Sequence, residues 1–228
     1  MDGVVAIVLA AGLGVRMQAE VPKALMAFDG TTILGRAVER ALACPSISSA
    51  VVVAPAGWED AVRTLVEPLG VGTVVTGGAT RQASVRAALS AVARDATHIV
   101  CHDAARPLAT PALFERALEA LDGWEGVVPV LAMAETVKRV RDGAIEGTEP
   151  RDGLAVAQTP QAFVASTLRT AHERAAREGF EATDDAVVLE RAGFRVRAIE
   201  GERTNLKITT PDDVRLAEAL ASTTAPRS

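Results

Sequence analysis

Six consecutive apolar residues, Val4 to Leu9, run straight into the letters AAGLG, and that junction limits what the chain can become. A largely β-branched run without a polar face predicts a strand buried on both sides, as in a parallel sheet. Ala10, Ala11, Gly12 and Gly14 then form a turn with almost no side chain. A ligand can lie directly against the backbone N–H groups of such a turn. Arg16 and Lys23 add two cations at its mouth, and backbone donors with fixed cations suit a polyphosphate. Two familiar glycine loops fail here. Met17 stands where a dinucleotide GxGxxG needs glycine or alanine, and also where a P-loop needs its second glycine. What remains is a strand, A-A-G-x-G-x-R-M, then P-K. It is either a nucleotide loop or an ordinary βα turn with solvated basic residues, and the downstream motifs favour the nucleotide.

With 228 residues and 49% hydrophobic content, the chain is expected to be one folded domain with a substantial core. A net charge of −5 gives no broad basic surface for nucleic acid. Cys44 and Cys101 fit no metal or redox spacing, so reduced structural thiols are expected. No apolar run reaches membrane-spanning length, and Asp2 stands where a secretory signal would carry positive charge. A cytoplasmic protein without membrane contact is the expectation.

Beyond the first loop, strand and helix signals alternate. Helices are predicted over Ile33 to Ala43 and Glu59 to Val66, with strands over Ala50 to Ala54 and Val71 to Thr76. That rhythm implies right-handed crossovers and functional loops at the C-terminal ends of the strands. One such loop is GGATRQASV, Gly77 to Val85. Gly77 and Gly78 permit close backbone approach, and Arg81 and Ser84 offer donors to a base, ribose or phosphate; a plain helix start reads equally well.

A strand from His98 to His102 ends in HDAARP. Asp103, beside the small Ala104 and Ala105 and the cationic Arg106, either holds Mg²⁺ against phosphates or pairs with arginine to shape the turn. His98 and His102 share a strand face and, with His172 distant, make no zinc set. Thr110-Pro111 opens a helix to Leu121, and Gly126 to Val130 is a strand. Residues 133–157 then break the rhythm with VKRVRDGAIEG, a hairpin about Asp142-Gly143. A hairpin with little of its own to pack against is expected to extend onto another subunit, carrying Thr136, Lys138 and Arg151. After a strand over Ala155 to Gln158, TPQAF leads to a helix over Ala165 to Arg177. Thr183 or Asp184 caps the next helix, and Arg195 to Glu200 is the last strand. Lys207 in NLKIT faces either water or the active edge. Thr210-Pro211-Asp212-Asp213 starts the closing helix.

AAGLGVRM with Pro22-Lys23, GGATRQASV, HDAARP, Thr136, Arg151, TPQ, Thr183-Asp184 and NLKITTPDD, in that order, resemble the 2-C-methyl-D-erythritol 4-phosphate cytidylyltransferases across almost the whole chain. The resemblance implies an α/β, Rossmann-like nucleotidyltransferase fold, with a mostly parallel sheet flanked by helices and a protruding β-hairpin arm. It also implies a homodimer with exchanged arms, CTP and a polyol phosphate as substrates, and Mg²⁺ or another divalent cation. Arg16 and Lys23 would stabilise the transition state, while Arg151 and Lys207 would position the polyol phosphate. Arg151 and Thr136 would come from the partner subunit, and Asp103 would be the metal and substrate carboxylate. Arg106 and Thr183 would lie on the polyol side. Ala10, Ala11, Gly12, Gly14, Gly77, Gly78, Arg81, Ser84 and Ala104 would lie on the cytidine side. Ala79, Ala24 and Glu135 stand where many relatives have Asp, Gln and Asp. The chain is expected to lack the cyclodiphosphate synthase domain fused to some relatives. Rival expectations are a ribitol-5-phosphate cytidylyltransferase, a sugar-1-phosphate nucleotidyltransferase and a non-catalytic CTP sensor.

Overall fold

The computed structural model describes residues 3–12 and 21–224. The chain begins with β1 (Val4–Leu9), the hairpin strands β2 (Ala27–Phe28) and β3 (Thr31–Thr32), and α1 (Ile33–Leu42). It continues through β4 (Ser49–Ala54), α2 (Glu59–Val66), β5 (Thr73–Thr76), α3 (Arg81–Ala91), β6 (His98–Asp103), α4 (Pro111–Glu119) and β7 (Gly126–Ala132). The arm strands β8 (Val137–Arg141) and β9 (Ala144–Glu149) precede β10 (Ala155–Ala157), β11 (Gln161–Val164), α5 (Ala165–Glu178), α6 (Asp185–Arg191), β12 (Val196–Glu200) and α7 (Pro211–Thr224).

An eight-stranded sheet has the order β10, β7, β11, β6, β1, β4 and β5, with β12 also paired to β7. β1 pairs in parallel with both β4 and β6, which puts the predicted first strand at the centre. β10 and β11 are antiparallel to their neighbours; the other strands share one direction, so the sheet is mostly parallel as expected. The central position explains the apolar run: Val4, Ala6 and Val8 face one core with Leu34, Val38 and Phe114. Val5 and Ile7 face the other, with Val85, Leu89 and Leu168. Each fully buried aliphatic side chain stabilises by about 1.5–3 kcal/mol relative to exposure, so a strand apolar on both faces is held by two layers of helices.

Three features differ from the reading of the sequence. TPQAF, assigned no element of its own, holds a strand: Gln161 to Val164 form β11, antiparallel to β6 and β7. Thr159-Pro160 interrupts the segment and hides it as a strand, because proline has no N–H for a ladder. NLKIT alternates as a strand would, but is not one. It is an irregular segment pinned by Ile208 N–H donating to Ala105 O at 2.8 Å. Finally, β10 lies within the expected 133–157 arm yet pairs with β7, so the two-stranded projection is β8 and β9. That hairpin turns at Asp142 and Gly143, both at positive φ (50° and 80°), as the Asp-Gly pair predicted. Cys44 and Cys101 are free and buried. Among the described residues no helix is long and apolar enough to cross a membrane.

Candidate active site

The parallel strands β6, β1 and β5, with β4 between the last two, end at one edge of the sheet, and their loops meet there. Ala10 N–H donates to Val53 O (2.9 Å), Ala104 N–H to Leu9 O (3.0 Å) and Gly77 N–H to Ala54 O (2.8 Å), so each loop leaves its strand already fastened. Gly77 and Gly78 are required by packing. A Cβ on Gly77 would lie 2.2 Å from Ala11 Cβ, and one on Gly78 would lie 2.5 Å from Ala83 Cβ. Ser84 is spent on the same loop: its hydroxyl accepts from Gly78 N–H (3.1 Å) and donates to Thr80 O (3.0 Å). Thr80 in turn caps α3, accepting from Ala83 N–H at 3.1 Å. The positive end of α3 therefore opens onto this edge.

The loops enclose a cleft of about 620 Å³ lined by Ala10, Ala11, Gly12, Lys23, Gly77, Gly78, Arg81, Ser84, Asp103, Ala104 and Lys207. Asp103, at the end of β6, is the focus. Its Oδ2 accepts from Lys207 Nζ at 2.7 Å and its Oδ1 from Arg81 Nε at 3.3 Å. Burial alone would raise its pKa. The charges of Arg81 and then Lys207 outweigh burial and hold the carboxyl well below the usual range. Lys207 thus points to the active edge. Lys23 Nζ donates to Ile208 O at 2.7 Å, which brings the first loop and the Lys207 segment together.

A second depression, of about 590 Å³ around His98, Leu118, Trp124, Val164 and Arg195, lies by the start of β6 at the opposite sheet edge. It contains none of the loop residues, so the chemistry belongs to the first cleft.

His102 lies behind Asp103. Asp103 N–H donates to Thr159 Oγ1 (3.0 Å), and Thr159 Oγ1 is 3.1 Å from His102 Nδ1. His102 Nε2 is 3.2 Å from Arg106 O, which assigns the ring proton to Nε2. Burial pushes this imidazole down to about 4, so it is a neutral strut, as the structural reading of His102 expected. Arg106 is outside the cleft lining, 8% exposed, and donates to Asn205 O (2.8 Å) and Ala157 O (3.3 Å).

The remaining expected residues are scattered. Thr136 and Arg151 are exposed at the base of the arm, where Arg151 donates to Ala134 O. Thr183 is exposed beside Asp184, which is the N-cap of α6. Arg16 and Gly14 lie outside the described residues. No group of three or more His, Cys, Asp or Glu able to hold a metal occurs among the described residues.

The sequence reading missed the support behind Arg81. Arg81 also donates to Asp185 Oδ2 at 2.8 Å, and Asp185 Oδ1 is 3.1 Å from His172 Nε2. A signal was present in His172. It falls among Leu168, Ala171 and Ala175 on the buried face of α5, where a lone polar ring needs a partner. Thr159 and Asn205 gave no comparable signal.

The whole chain can be set beside known proteins. The family model IspD, 2-C-methyl-D-erythritol 4-phosphate cytidylyltransferase, matches residues 4–223. The enzyme of that name from Rhodococcus jostii (strain RHA1) is 48% identical over 219 residues, covering 95% of this chain and 94% of that one. Among solved structures, the 2-C-methyl-D-erythritol 4-phosphate cytidylyltransferase of Thermus thermophilus superposes with a TM-score of 0.81 at 36% identity, covering 95% of this chain and 98% of its own. The 4-diphosphocytidyl-2C-methyl-D-erythritol synthase of Anaerococcus prevotii DSM 20548 gives 0.84 at 28% identity, covering 96% of each. The edge that gathers two glycine-bearing loops, Lys23, Lys207 and Asp103 thus sits in a chain that belongs to the 2-C-methyl-D-erythritol 4-phosphate cytidylyltransferase family.

Proposed function

We propose that this chain joins CTP to 2-C-methyl-D-erythritol 4-phosphate, giving 4-diphosphocytidyl-2-C-methyl-D-erythritol and pyrophosphate in isoprenoid precursor synthesis. The observation that carries the reading is the convergence of Lys23, Arg81, Lys207 and Asp103 on one cleft beneath the positive end of α3. An oxygen of the methylerythritol phosphate attacks the α-phosphorus of CTP in line. A new P–O bond forms, the bridging P–O bond to the β-phosphate breaks, and pyrophosphate leaves with that electron pair. A phosphate monoester has a second pKa of about 6, so the nucleophile is already an anion near neutral pH and no protein base is required.

The task left to the protein is to bring two anions together and hold the charge that builds on the α-phosphoryl oxygens and the leaving group. Lys23 is assigned to that charge, with Arg16 seven residues before it in sequence. Lys207 and a partner subunit's copy of Arg151 are assigned to the attacking phosphate, with Thr136 and Thr183 near the polyol. The backbone of Ala10 to Gly12 and the loop of Gly77, Gly78 and Ser84 form the wall for the nucleotide. Arg106 supports the Lys207 segment from behind by gripping Asn205 O, two residues before Lys207.

Asp103 is the carboxylate in the cleft lining, and each of its oxygens accepts from one side-chain donor and keeps a further lone pair. One carboxylate plus substrate phosphates and waters is the ligand set Mg²⁺ prefers, so the residues fit the expected ion. When bound, it would add positive charge against the triphosphate.

Exposed Val140 and Ile145, paired across the arm, support its lying on a second copy of the chain. The deciding assay is pyrophosphate release with each nucleoside triphosphate and with methylerythritol 4-phosphate or ribitol 5-phosphate. CTP with the former should be turned over best; faster use of ribitol 5-phosphate would overturn the assignment. Lys23→Ala should lower kcat roughly a hundredfold, since one lost transition-state donor costs ~3 kcal/mol. Wild-type turnover in that variant would remove Lys23 from the mechanism.

A further inference from the structure

We propose that Asp185, steadied by His172, is a positioning residue for the reaction, holding Arg81 against Asp103 and so fixing the direction of positive charge at the cleft floor. The chain of contacts is continuous. His172 Nε2 meets Asp185 Oδ1 at 3.1 Å, Asp185 Oδ2 meets Arg81 at 2.8 Å, Arg81 Nε meets Asp103 Oδ1 at 3.3 Å, and Lys207 holds Asp103 Oδ2 at 2.7 Å. Asp185 and His172 are each 1% exposed, whereas Arg81 and Asp103 line the cleft. The inner acid has the shorter bond to Arg81, so the guanidinium is anchored from below and presents its Nε edge to Asp103. Among the described residues His172 Nδ1 has no hydrogen-bond partner, which places the ring proton on Nε2, donating to Asp185.

Stability does not account for such an arrangement. Desolvating charges offsets most of their attraction, and apolar replacements of buried ion pairs are often neutral or stabilising. What the pair supplies is direction. The four charged groups alternate as Asp185, Arg81, Asp103 and Lys207 and sum to zero. Without the charge of Asp185, Arg81 is free to turn on its long side chain, and Asp103 then faces two unequally placed cations. The orientation of Lys207, and of any group that Asp103 binds, depends on that balance.

The inference rests on the reaction proposed above, and wild-type turnover in the same assay tests that reaction separately. Asp185→Asn keeps the side chain's size and removes its charge. In the full chain it should lower kcat/KM for CTP roughly tenfold or more, the range seen when groups orienting a site are lost, and Asp185→Glu should recover part of the loss. A purely structural role would lower the melting temperature without a kinetic dependence on Arg81. The discriminating measurement is therefore the same substitution in an Arg81→Lys background, where one ammonium cannot bridge both carboxylates. There the kinetic penalty of Asp185→Asn should shrink. An equal penalty in both backgrounds, or unchanged kcat/KM in Asp185→Asn, overturns the proposal. If Asp185→Asn does not fold, His172→Gln is carried through the same pair of backgrounds, where a shrinking penalty supports the proposal and an equal one overturns it. A wild-type chain inactive with CTP and methylerythritol phosphate would sink the reaction instead.

Discussion

A methyl group on Gly77 would sit 2.2 Å from the Cβ of Ala11, and neither atom has a torsion that could move it aside. Gly77→Ala must therefore push the loop after β5 away from the loop after β1. Forced overpacking of this kind costs about 1–3 kcal/mol, and here the strain falls on the nucleotide wall. A lower melting temperature together with a raised KM for CTP is the expected outcome, read by thermal unfolding and steady-state kinetics. The sequence made the glycines legible as places of close approach, but not that the approaching atoms belong to Ala11 and Ala83. Asp103 carries a second residue-scale prediction. Its folded pKa lies below the ordinary carboxylate range, so its contribution to stability is full above that range, begins to fade within it and is lost as pH drops on toward the depressed folded value. Urea unfolding from neutral to acid pH should show a steeper loss for the wild type than for Asp103→Asn, and parallel curves would count against the ion pairs.

At the scale of elements, the segment from Asn205 to Thr210 shows where sequence reading succeeded and where it stopped. The cap before α7 was legible. Thr210 accepts from Asp213 N–H at 3.3 Å, while Asp213 Oδ2 takes the N–H groups of Thr209 and Thr210, each at 2.8 Å. This is a capping box with Asp in the acid position. The segment's path was not legible, because alternation around Lys207 imitates a strand. What fixes it instead is a set of long-range bonds from Lys23, Ala105, Arg106 and Gln158. β11 was hidden by the same kind of cause, its partners lying on strands far away in sequence. Asp213→Ala should cost about 1 kcal/mol near neutral pH, the usual cost of a lost cap. The bonds from Thr209, chiefly its hydroxyl, hold the Asp213 carboxyl at about 2 against an ordinary 3.8. The carboxylate's contribution is thus full above pH ~4 and fades as pH falls toward 2, so the gap between variant and wild type should close in acid. A gap that is constant with pH would assign the effect to the helix and not to the charge.

For the molecule as a whole, the cleft gathers its cations from distant parts of one chain, yet Thr136 and Arg151 remain outside it. The hairpin itself was legible from Asp142-Gly143 and its flanking alternation. Its destination reads as another subunit, since a two-stranded hairpin has little of its own to pack against. Val140 and Ile145, 58% and 66% exposed, form an apolar pair on a two-stranded ribbon separate from the main sheet. If the arm completes the neighbour's site, each site combines one protomer's cleft with the other's Arg151. Lys23→Ala and Arg151→Ala homodimers should then both be weak. A heterodimer of the two has one site carrying both defects and one carrying neither. With random assortment about half the dimers are mixed, so refolding equal amounts together should restore about a quarter of wild-type turnover. The same proteins combined without subunit exchange should stay weak. If each site instead belonged to one protomer, every cleft in the mixture would keep one defect, and verified heterodimers would show no recovery. That result would send Arg151 back to the solvated surface of the arm and leave Lys207 to hold the attacking phosphate alone.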